Sequence, residues 1–376
     1  MKTMNRGAIL NLLNKTGTMS RVELANALGL DGTTVTHIIR DLLATDLVRA
    51  VGFTAPSMGR PKEILRLNAD GRNAIGIHLD SQKLSGAIVN LGGEVKIYEE
   101  LTLSATDSRH ILLRKITKVI KGLLRNSDKS TLLGIGLAYH GIVDNKTGIV
   151  RQAAHLPGWE GVDIHTFFSQ TFGIPFEIED NSRTKAIAEY WYGVARGICD
   201  FVLLDIGDGI GCAVMTNGIV QCGATNSAGE IGHNPVVWNG KSCRCGRTGC
   251  LETVASMSAL QERLSDYGNK VSFEDIVRLS SQGNDDVIKT INEVGGYIGL
   301  ATSSLINILN PSHLVLSGEL LRLGVVLENA IRKAIERHTI DSSYKALKIM
   351  KGKLGNHCAV VGAATLMLKK VFERIV

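Results

Sequence analysis

A short segment rich in cysteine and glycine, residues 228–252, constrains this chain more than any other stretch of its sequence. It runs AGEIGHNPVVWNGKSCRCGRTGCLE and contains four potential metal ligands, His233, Cys243, Cys245 and Cys250. A closed structural zinc site needs four such donors in a tetrahedron, and three cysteines with one histidine are a common set. The glycines at 246 and 249 allow the tight turns that bring three thiolates together. The segment therefore predicts one structural zinc ion per chain.

Two alternatives to zinc are a disulfide and free thiols. Cys243 and Cys245 are separated by a single residue, and such neighbours bridge poorly because disulfide geometry is demanding. A lone histidine is more often a core residue, but His233 precedes three clustered cysteines. The spacing of the ligands favours the metal site.

Composition predicts a cytoplasmic protein that does not enter a membrane. The chain has no run of eighteen apolar residues, and its N-terminus lacks an apolar signal segment. Seven cysteines, three of them in the metal-like cluster, fit a reducing compartment better than a secreted disulfide framework. The net charge of +6 permits a polyanionic partner without requiring one.

The first 66 residues predict a small domain of three helices. The first helix covers about residues 5–14. Ser20 and Glu23 then form a capping box that starts a second helix, which Gly29 ends. A third helix opens at residue 31 or 32 and carries a regular apolar stripe formed by Val35, Ile38, Ile39, Leu42 and Leu43.

The other face of the third helix predicts contact with DNA. It presents short hydroxyls and two larger donors that suit base edges and phosphates in a major groove, namely Thr33, Thr34, Thr36, His37 and Arg40. Residues 48–53 and 63–67 predict a hairpin whose basic tip, with Arg60 and Lys62, can touch phosphate or enter a minor groove. The alternative is a helical domain that binds protein and has a solvated polar face.

The rest of the chain has the pattern of an α/β domain. Three strand-like runs begin at Ala74, a helix covers about 109–124, and an apolar strand follows at 132–140. Further helices are predicted at 272–281, 286–309, 320–338 and 359–376.

The cysteine segment resembles one family closely. The pattern His-x9-Cys-x-Cys-x4-Cys, preceded by Gly-Glu-x-Gly and followed by x-Glu, is similar to that of the ROK family of sugar kinases and sugar-responsive repressors. The resemblance implies an α/β two-lobed actin-like (ribonuclease-H-like) domain at residues 72–376. An α+β winged helix-turn-helix domain at residues 1–70 would precede it.

The resemblance also implies a sugar site, formed by Asp180, Asn181, Glu230, His233 and Glu252. Carboxylates and amides are the acceptors that a polyol needs. His233 would bind zinc through one ring nitrogen and a sugar hydroxyl through the other. Alternatively, Glu230 and Glu252 only support the zinc loop. Trp159 is interpreted as either a sugar-stacking or a core residue, and two histidines are expected to tune sugar choice, His140 and His155.

Three departures from the family's kinases predict that phosphoryl transfer is lost and that no residue is catalytic. The first phosphate loop lacks its glycines and carries Asp80-Ser81-Gln82, where an acid would repel phosphate. Asp208 replaces a threonine in the second loop. Asn181 occupies the position of the catalytic base, and an amide cannot accept a proton from a sugar hydroxyl.

The sequence thus predicts a repressor of sugar-metabolism genes that a small sugar relieves. Its partners would be double-stranded operator DNA, the sugar, and a second copy of the chain in a homodimer or higher homo-oligomer. Two alternatives stay open at this point: an ATP-dependent sugar kinase with an attached DNA-binding domain, and a repressor whose signal is a protein partner.

Overall fold

The computed structural model of the chain describes residues 2–54, 61–104, 106–144, 147–153, 158–265 and 271–373. The chain forms two compact units. The first contains Met1–Glu179 and Ala359–Val376, and the second contains Asp180–Cys358. In the described residues, no helix is both long and apolar enough to cross a membrane.

The first unit begins with three helices and a small sheet. The elements are α1 (Lys2–Thr16), β1 (Thr18–Ser20), α2 (Arg21–Leu28), α3 (Gly32–Ala44), β2 (Val48–Phe53) and β3 (Glu63–Leu67). The strands pair antiparallel in the order β1-β3-β2. The structure agrees with the three predicted helices and the predicted hairpin. It adds β1, which is too short to show an alternating pattern in the sequence.

The predicted capping box is present at the start of α2. The Ser20 N–H donates to Glu23 Oε2 over 2.7 Å, and the Glu23 N–H donates to Ser20 Oγ over 3.3 Å. Gly29 ends the helix with φ at 62°, a left-handed conformation that glycine adopts without strain. The capping box thus fixes the start of α2, and Gly29 fixes its end before the turn to α3.

The first unit continues as an α/β sandwich. Its elements are β4 (Asn73–Leu79), β5 (Lys83–Asn90), β6 (Val95–Thr102), α4 (Arg109–Arg125), β7 (Leu132–Tyr139), β8 (Gly141–Val143), β9 (Val150–Ala153), α5 (Ile164–Phe172) and β10 (Phe176–Asp180). The sheet has the order β10-β7-β4-β5-β6. Strands β4, β5 and β6 form an antiparallel meander, and β7 runs parallel to β4.

The second unit repeats this strand order. Its elements are α6 (Asn181–Tyr192), β11 (Phe201–Ile206), β12 (Ile210–Thr216), β13 (Ile219–Val220), α7 (Glu252–Ala255), α8 (Met257–Ser265), α9 (Phe273–Ser281), α10 (Asp285–Leu309), β14 (His313–Ser317), α11 (Val325–His338), α12 (Asp341–Ala346) and β15 (Lys348–Lys351). The sheet order is β13-β12-β11-β14-β15, with an antiparallel meander followed by two parallel strands. The chain therefore contains one α/β topology twice.

Two predicted helices are shorter in the structure. The expected helix 320–338 is divided by Gly324, whose φ is 70°, into a 3-10 helix at Glu319–Leu323 and α11. The expected helix 359–376 is α13 (Cys358–Leu368), followed by a 3-10 turn at Lys369–Val371. Its last three residues lie outside the described part of the chain.

Helices α4 and α13 cover opposite faces of the first sheet. Neighbouring residues of a strand point to opposite faces of the sheet. Gly86 pairs with Ile77 and shares its face, whereas Gly76, the residue before Ile77, points to the other face. A Cβ on Gly86 would lie 2.5 Å from Val119 of α4. A Cβ on Gly76 would lie 1.9 Å from the carbonyl oxygen of Val360 in α13.

The last described residues return to the first helix. The Asn11 Nδ2–H donates to the carbonyl oxygen of Phe372 over 3.2 Å. Gly7 also lies against this carbonyl, since a Cβ there would be 2.7 Å from the oxygen. The C-terminal segment therefore packs against both the α/β sheet and α1 of the N-terminal helices.

The close approach of α13 to the sheet makes Gly136 a stability test. An added Cβ would lie 1.8 Å from the carbonyl oxygen of Ala363, so Gly136→Ala forces α13 and β7 apart. We expect the free energy of unfolding to fall by about 1–3 kcal/mol or more, measured by chemical denaturation.

The matched control is Gly296→Ala in α10, where nothing lies within 4 Å of the new Cβ. Alanine is favoured over glycine inside a helix, so this variant should be more stable by about 0.5–1 kcal/mol. A Gly136→Ala variant as stable as the wild type would contradict the described packing.

Candidate metal and ligand site of the second unit

The four predicted metal ligands converge in the second unit. Their donor atoms all lie within 4.8 Å of one another. Cys243 Sγ is 3.6 Å from His233 Nδ1, and Cys245 Sγ is 3.6 Å from Cys250 Sγ. A tetrahedron with metal–sulfur bonds of about 2.3 Å and metal–nitrogen bonds of about 2.0–2.1 Å has edges of about 3.5–3.8 Å. Two of the six distances between donor atoms therefore match the edges of a tetrahedral metal site.

The sulfur distances also decide against the disulfide alternative. A disulfide has a sulfur–sulfur bond of about 2.05 Å, and the seven cysteines of the chain are all free. The remaining alternative to a metal, a group of free thiols, would leave three converging sulfurs without the ion that fits between them.

Two glycines shape the ligand loop as predicted. Gly246 and Gly249 have φ values of 86° and 73°. A Cβ on Gly249 would also lie 1.9 Å from the carbonyl oxygen of Val237. The Cys243 N–H donates to the carbonyl oxygen of Arg247 over 2.7 Å, which closes the turn between two of the ligands. The loop is thus held by its own backbone.

His233 connects this cluster to a carboxylate. Its Nδ1 faces Cys243, and its Nε2 lies 3.7 Å from Glu230 Oε2. A carboxylate beside the second nitrogen of a metal-bound histidine fixes the orientation of the ring.

Asp180 and Asn181 lie at the junction of β10 and α6. Asp180 accepts from the Arg183 N–H over 3.0 Å and so caps α6. The Asn181 Nδ2–H donates to Asp205 Oδ2 over 3.1 Å. Asn181 Oδ1 is buried and has no hydrogen-bond partner among the described residues. A buried unsatisfied oxygen is costly, so this atom is suited to accept a hydrogen bond from a ligand hydroxyl.

Cys212 places Asp180 and Glu230 in one neighbourhood. The Cys212 thiol is buried in β12, and burial raises its pKa. The nearby charges of Asp180 and Glu230 raise the pKa further, to about 12. Two carboxylates from separate elements thus act on the same buried thiol, as expected if they line one site.

Glu252, the remaining predicted sugar residue, lies at the start of a helix. It starts α7 and lines a groove with Arg244 and Glu262. No hydrogen bond joins its side chain to Asp180, Asn181, Glu230 or His233 within the described parts of the chain.

Sequence analysis missed an ion pair beneath this site. Lys185 Nζ lies 2.7 Å from both carboxylate oxygens of Asp205, and both side chains are largely buried. The available signal was an acid at the end of the apolar run FVLLDI, since buried acids are rare unless paired. Lys185, Asp205 and Asn181 form one hydrogen-bonded group.

In the first unit, the side chain of Asp80, in the turn between β4 and β5, is held ionised. Asp80 accepts from the Ser81 N–H over 2.7 Å and faces His140 Nδ1 at 3.4 Å. Burial opposes its ionisation, but the His140 hydrogen bond and the charges of His78 and His140 hold the pKa of Asp80 well below its usual range. A persistent negative charge at this turn disfavours an approaching phosphate.

The interpretation of Trp159 as a residue that stacks on a sugar is wrong. Trp159 is 0% exposed and stacks against Tyr139 at a centroid distance of 6.2 Å. It belongs to the core of the first unit. His155, expected to tune sugar choice, lies outside the described residues.

The predicted DNA face is only partly free to donate hydrogen bonds. Thr33, Thr36, His37 and Arg40 are exposed on α3, whereas Thr34 is half-buried. Asp31 caps the helix, and the hydroxyls of Thr34 and Thr36 donate to Asp31 and to the Gly32 carbonyl. Lys62 is exposed immediately before β3, at the loop end of the β2–β3 hairpin. Arg60 lies outside the described residues.

Comparison with known proteins matches these two parts of the chain. The model of a winged helix-turn-helix DNA-binding domain matches residues 5–49. The ROK family model matches residues 74–370. The class is therefore a duplicated α/β domain that follows a winged helix, and the chain belongs to the ROK family.

Two curated relatives match along their whole length. The xylose repressor of Bacillus spizizenii is 25% identical over 99% of this chain and 97% of its own. The DNA-binding transcriptional dual regulator NagC of Escherichia coli is 26% identical over 100% of this chain and 95% of its own.

Solved structures agree with the predicted fold. A ROK family transcriptional regulator, a homolog of the E. coli MLC protein, superposes with a TM-score of 0.84 at 25% identity, over 99% of this chain and 96% of that one. A ROK family glucokinase from Streptomyces griseus has a TM-score of 0.71 at 23% identity, over 78% of this chain and 99% of its own. The two-lobed actin-like fold preceded by a winged helix-turn-helix is confirmed.

The buried ion pair generates a test of the site's construction. Lys185→Met leaves the Asp205 carboxylate buried without its cation, and we expect about 3 kcal/mol of lost stability. Adding Asp205→Asn removes the uncompensated charge and should recover most of that loss. A double-mutant cycle by chemical denaturation measures the coupling. Additive effects of the two substitutions would show that the pair is not coupled.

Proposed function

We propose that this chain is a sugar-responsive, DNA-binding transcriptional repressor of sugar-metabolism genes. The observation that carries the proposal is the end-to-end match with repressors that combine the same two parts, the winged helix and the ROK domain. A repressor of chromosomal genes acts on DNA, so its place of action is the cytoplasm.

The DNA-binding part of the proposal assigns residues 1–70 to operator recognition. The residues of α3 that contact base edges and phosphates are Thr33, Thr34, Thr36, His37 and Arg40. The hairpin contacts the DNA beside them through Arg60 and Lys62. A homodimer or higher homo-oligomer presents two copies of α3 to a pseudo-palindromic operator.

The sensing part of the proposal assigns residues 72–376 to a small sugar. Asp180, Asn181, Glu230, His233 and Glu252 bind its hydroxyls. The unsatisfied Asn181 oxygen and the convergence of Asp180 and Glu230 on Cys212 support this assignment. Sugar binding stabilises a state with lower operator affinity, with a coupling of about 1–3 kcal/mol.

The chain is proposed to lack kinase activity. Asn181 occupies the base position and donates to Asp205, so it offers no proton acceptor of the required strength. Asp80 keeps a negative charge at the first phosphate loop. The ROK glucokinase structure is less than 25% identical to this chain, so its similarity shows the fold and not the activity.

The four-ligand cluster is proposed to hold one zinc ion. Three thiolates and an imidazole in a tetrahedron are the donors that zinc prefers, and a closed four-ligand site is structural. The ion would hold the His233 ring in place, and with it the position of Glu230.

Genomic DNA captured by the purified protein at fixed salt, with single sugars added in turn, tests the repressor. We expect specific fragments to be retained and one sugar to release them. Arg40→Ala should weaken retention about fivefold or more, since a base-edge contact contributes about 1–3 kcal/mol. Lys15→Ala, exposed at the end of α1, is the control and should bind as the wild type does.

The same assay separates the alternatives. Retention that no sugar reverses favours a protein signal, and calorimetry with the sugar panel should then show no heat. ADP release with ATP and any sugar, lost in Asp180→Ala, would establish the kinase. Absence of any specific fragment would defeat the repressor assignment.

Metal content tests the zinc site. Native mass spectrometry of the wild type should show one zinc per chain. Cys250→Ser should lose the metal and lower the melting temperature, because a structural zinc ion contributes folding free energy. Cys222→Ser changes a cysteine outside the cluster and should keep the metal. A fully folded wild type that neither contains nor takes up zinc would refute the site.

A further inference from the structure

Helix α4 carries an unusual concentration of positive charge. Its sequence RHILLRKITKVIKGLLR contains six arginines and lysines and no acidic residue. Leu112, Ile116 and Val119 are buried against the first sheet, so one face of the helix is fixed in the core. The charge therefore lies on the face that points away from the sheet.

Four of these cations form a line. Arg114, Lys118, Lys121 and Arg125 follow one another at intervals of four, three and four residues, which places them on one face of a helix. All four are exposed. With a rise of about 1.5 Å per residue, the line is about 16 Å long. We call these four residues the basic stripe.

The stripe has no neutralising partner in the described structure. Lys115, on the same helix, pairs with Asp107 at 2.5 Å, but none of the four stripe residues forms a salt bridge with a described residue. Glu99 of β6 lies against Gly122 of the helix and still forms no salt bridge with the stripe. Four adjacent cations repel one another, so an unpaired row of them is explained best by an external anion.

The net positive charge of the whole chain is also concentrated in the first unit. The first unit has 24 lysines and arginines against 18 acids, whereas the second has 18 against 18. The entire net charge of +6 thus belongs to the unit that contains both the winged helix and α4. This asymmetry is typical of a unit that meets a polyanion.

The end of the stripe is connected to the DNA-binding helices. Thr45 follows α3, and its carbonyl oxygen accepts from Arg72 Nη1 over 3.2 Å. The next residue, Asn73, starts β4 and donates through Nδ2 to Thr131 Oγ1 over 3.0 Å. Thr131 closes the short segment that follows α4. Two hydrogen bonds from adjacent residues therefore connect the residue that follows α3 to the segment that follows α4.

We propose that the basic stripe is a second DNA-binding surface, which contacts the phosphates of the duplex that flanks the operator. This inference rests on the proposed repressor function, because it adds phosphate contacts to a protein that the winged helix has placed on DNA. Arginine and lysine on a helix face supply affinity and register without reading base sequence. Contact with the flanks releases counterions and makes binding more salt-dependent.

The test compares two DNA fragments. The short one is the minimal operator that footprinting defines with a protein lacking the four stripe cations, and the long one extends it by about one helical turn, about 10 base pairs, on each side. The variant replaces all four stripe residues by glutamine, a good helix former, as R114Q/K118Q/K121Q/R125Q. The control variant, K289Q/K333Q/R337Q/K348Q, removes four exposed cations from the second unit.

We expect the wild type and the control to bind the long fragment about tenfold more tightly than the short one at low salt. The stripe variant should bind both fragments equally and match the wild type on the short one. On the long fragment, its plot of log affinity against log salt should be shallower by about 3.6 for each stripe that contacts DNA, since each of four phosphate contacts contributes about 0.9 to the slope.

The outcomes separate the two proposals. If no protein retains the short operator specifically, the repressor function itself fails. If the short operator is bound but the stripe variant gains from the flanks as much as the wild type, the stripe does not contact DNA. Loss of binding to anionic lipid vesicles in that variant, with its DNA binding intact, would assign the stripe to a membrane surface and overturn the inference.

Discussion

The first unit depends on the contact between the backbone of α13 and the backbone of its sheet. The carbonyl oxygens of Val360 and Ala363 lie where side chains of Gly76 and Gly136 would begin. Only glycine permits this approach, so the last helix of the chain completes a core that the first third of the sequence starts. Because the segment after α13 also reaches α1 through the Phe372 carbonyl, the DNA-binding helices are packed onto the α/β domain.

In the second unit, the amide of Asn181 donates to the buried pair of Lys185 and Asp205. An aspartate at this position would place a second carboxylate against Asp205, and Lys185 alone would have to balance both charges. With asparagine, one carboxylate meets one ammonium and the amide donates to the pair. The result is a neutral group that holds an unsatisfied oxygen in a fixed position. Such an arrangement suits recognition of a hydroxyl without turnover.

Local sequence signals predicted the parts of this protein that depend on nearby residues. The metal cluster, the capping box at Ser20 and the hairpin of the winged helix each lie within a short stretch of chain. The ion pair of Lys185 and Asp205 joins residues from α6 and β11, and only tertiary packing brings them together. The sequence could not decide between a core and a sugar-stacking Trp159, and it missed the helix break at Gly324, because an aromatic residue or an isolated glycine has more than one structural use.

The chain passes between its two units at only two places, between Glu179 and Asp180 and between Cys358 and Ala359. The first crossing coincides with the start of α6, where Asp180 caps the helix and Asn181 presents its unsatisfied oxygen. The second is the first turn of α13, the helix that packs on the first sheet and leads to α1. Asp180 and Asn181, two of the residues proposed to bind the sugar, therefore lie at one of the two covalent connections between the units.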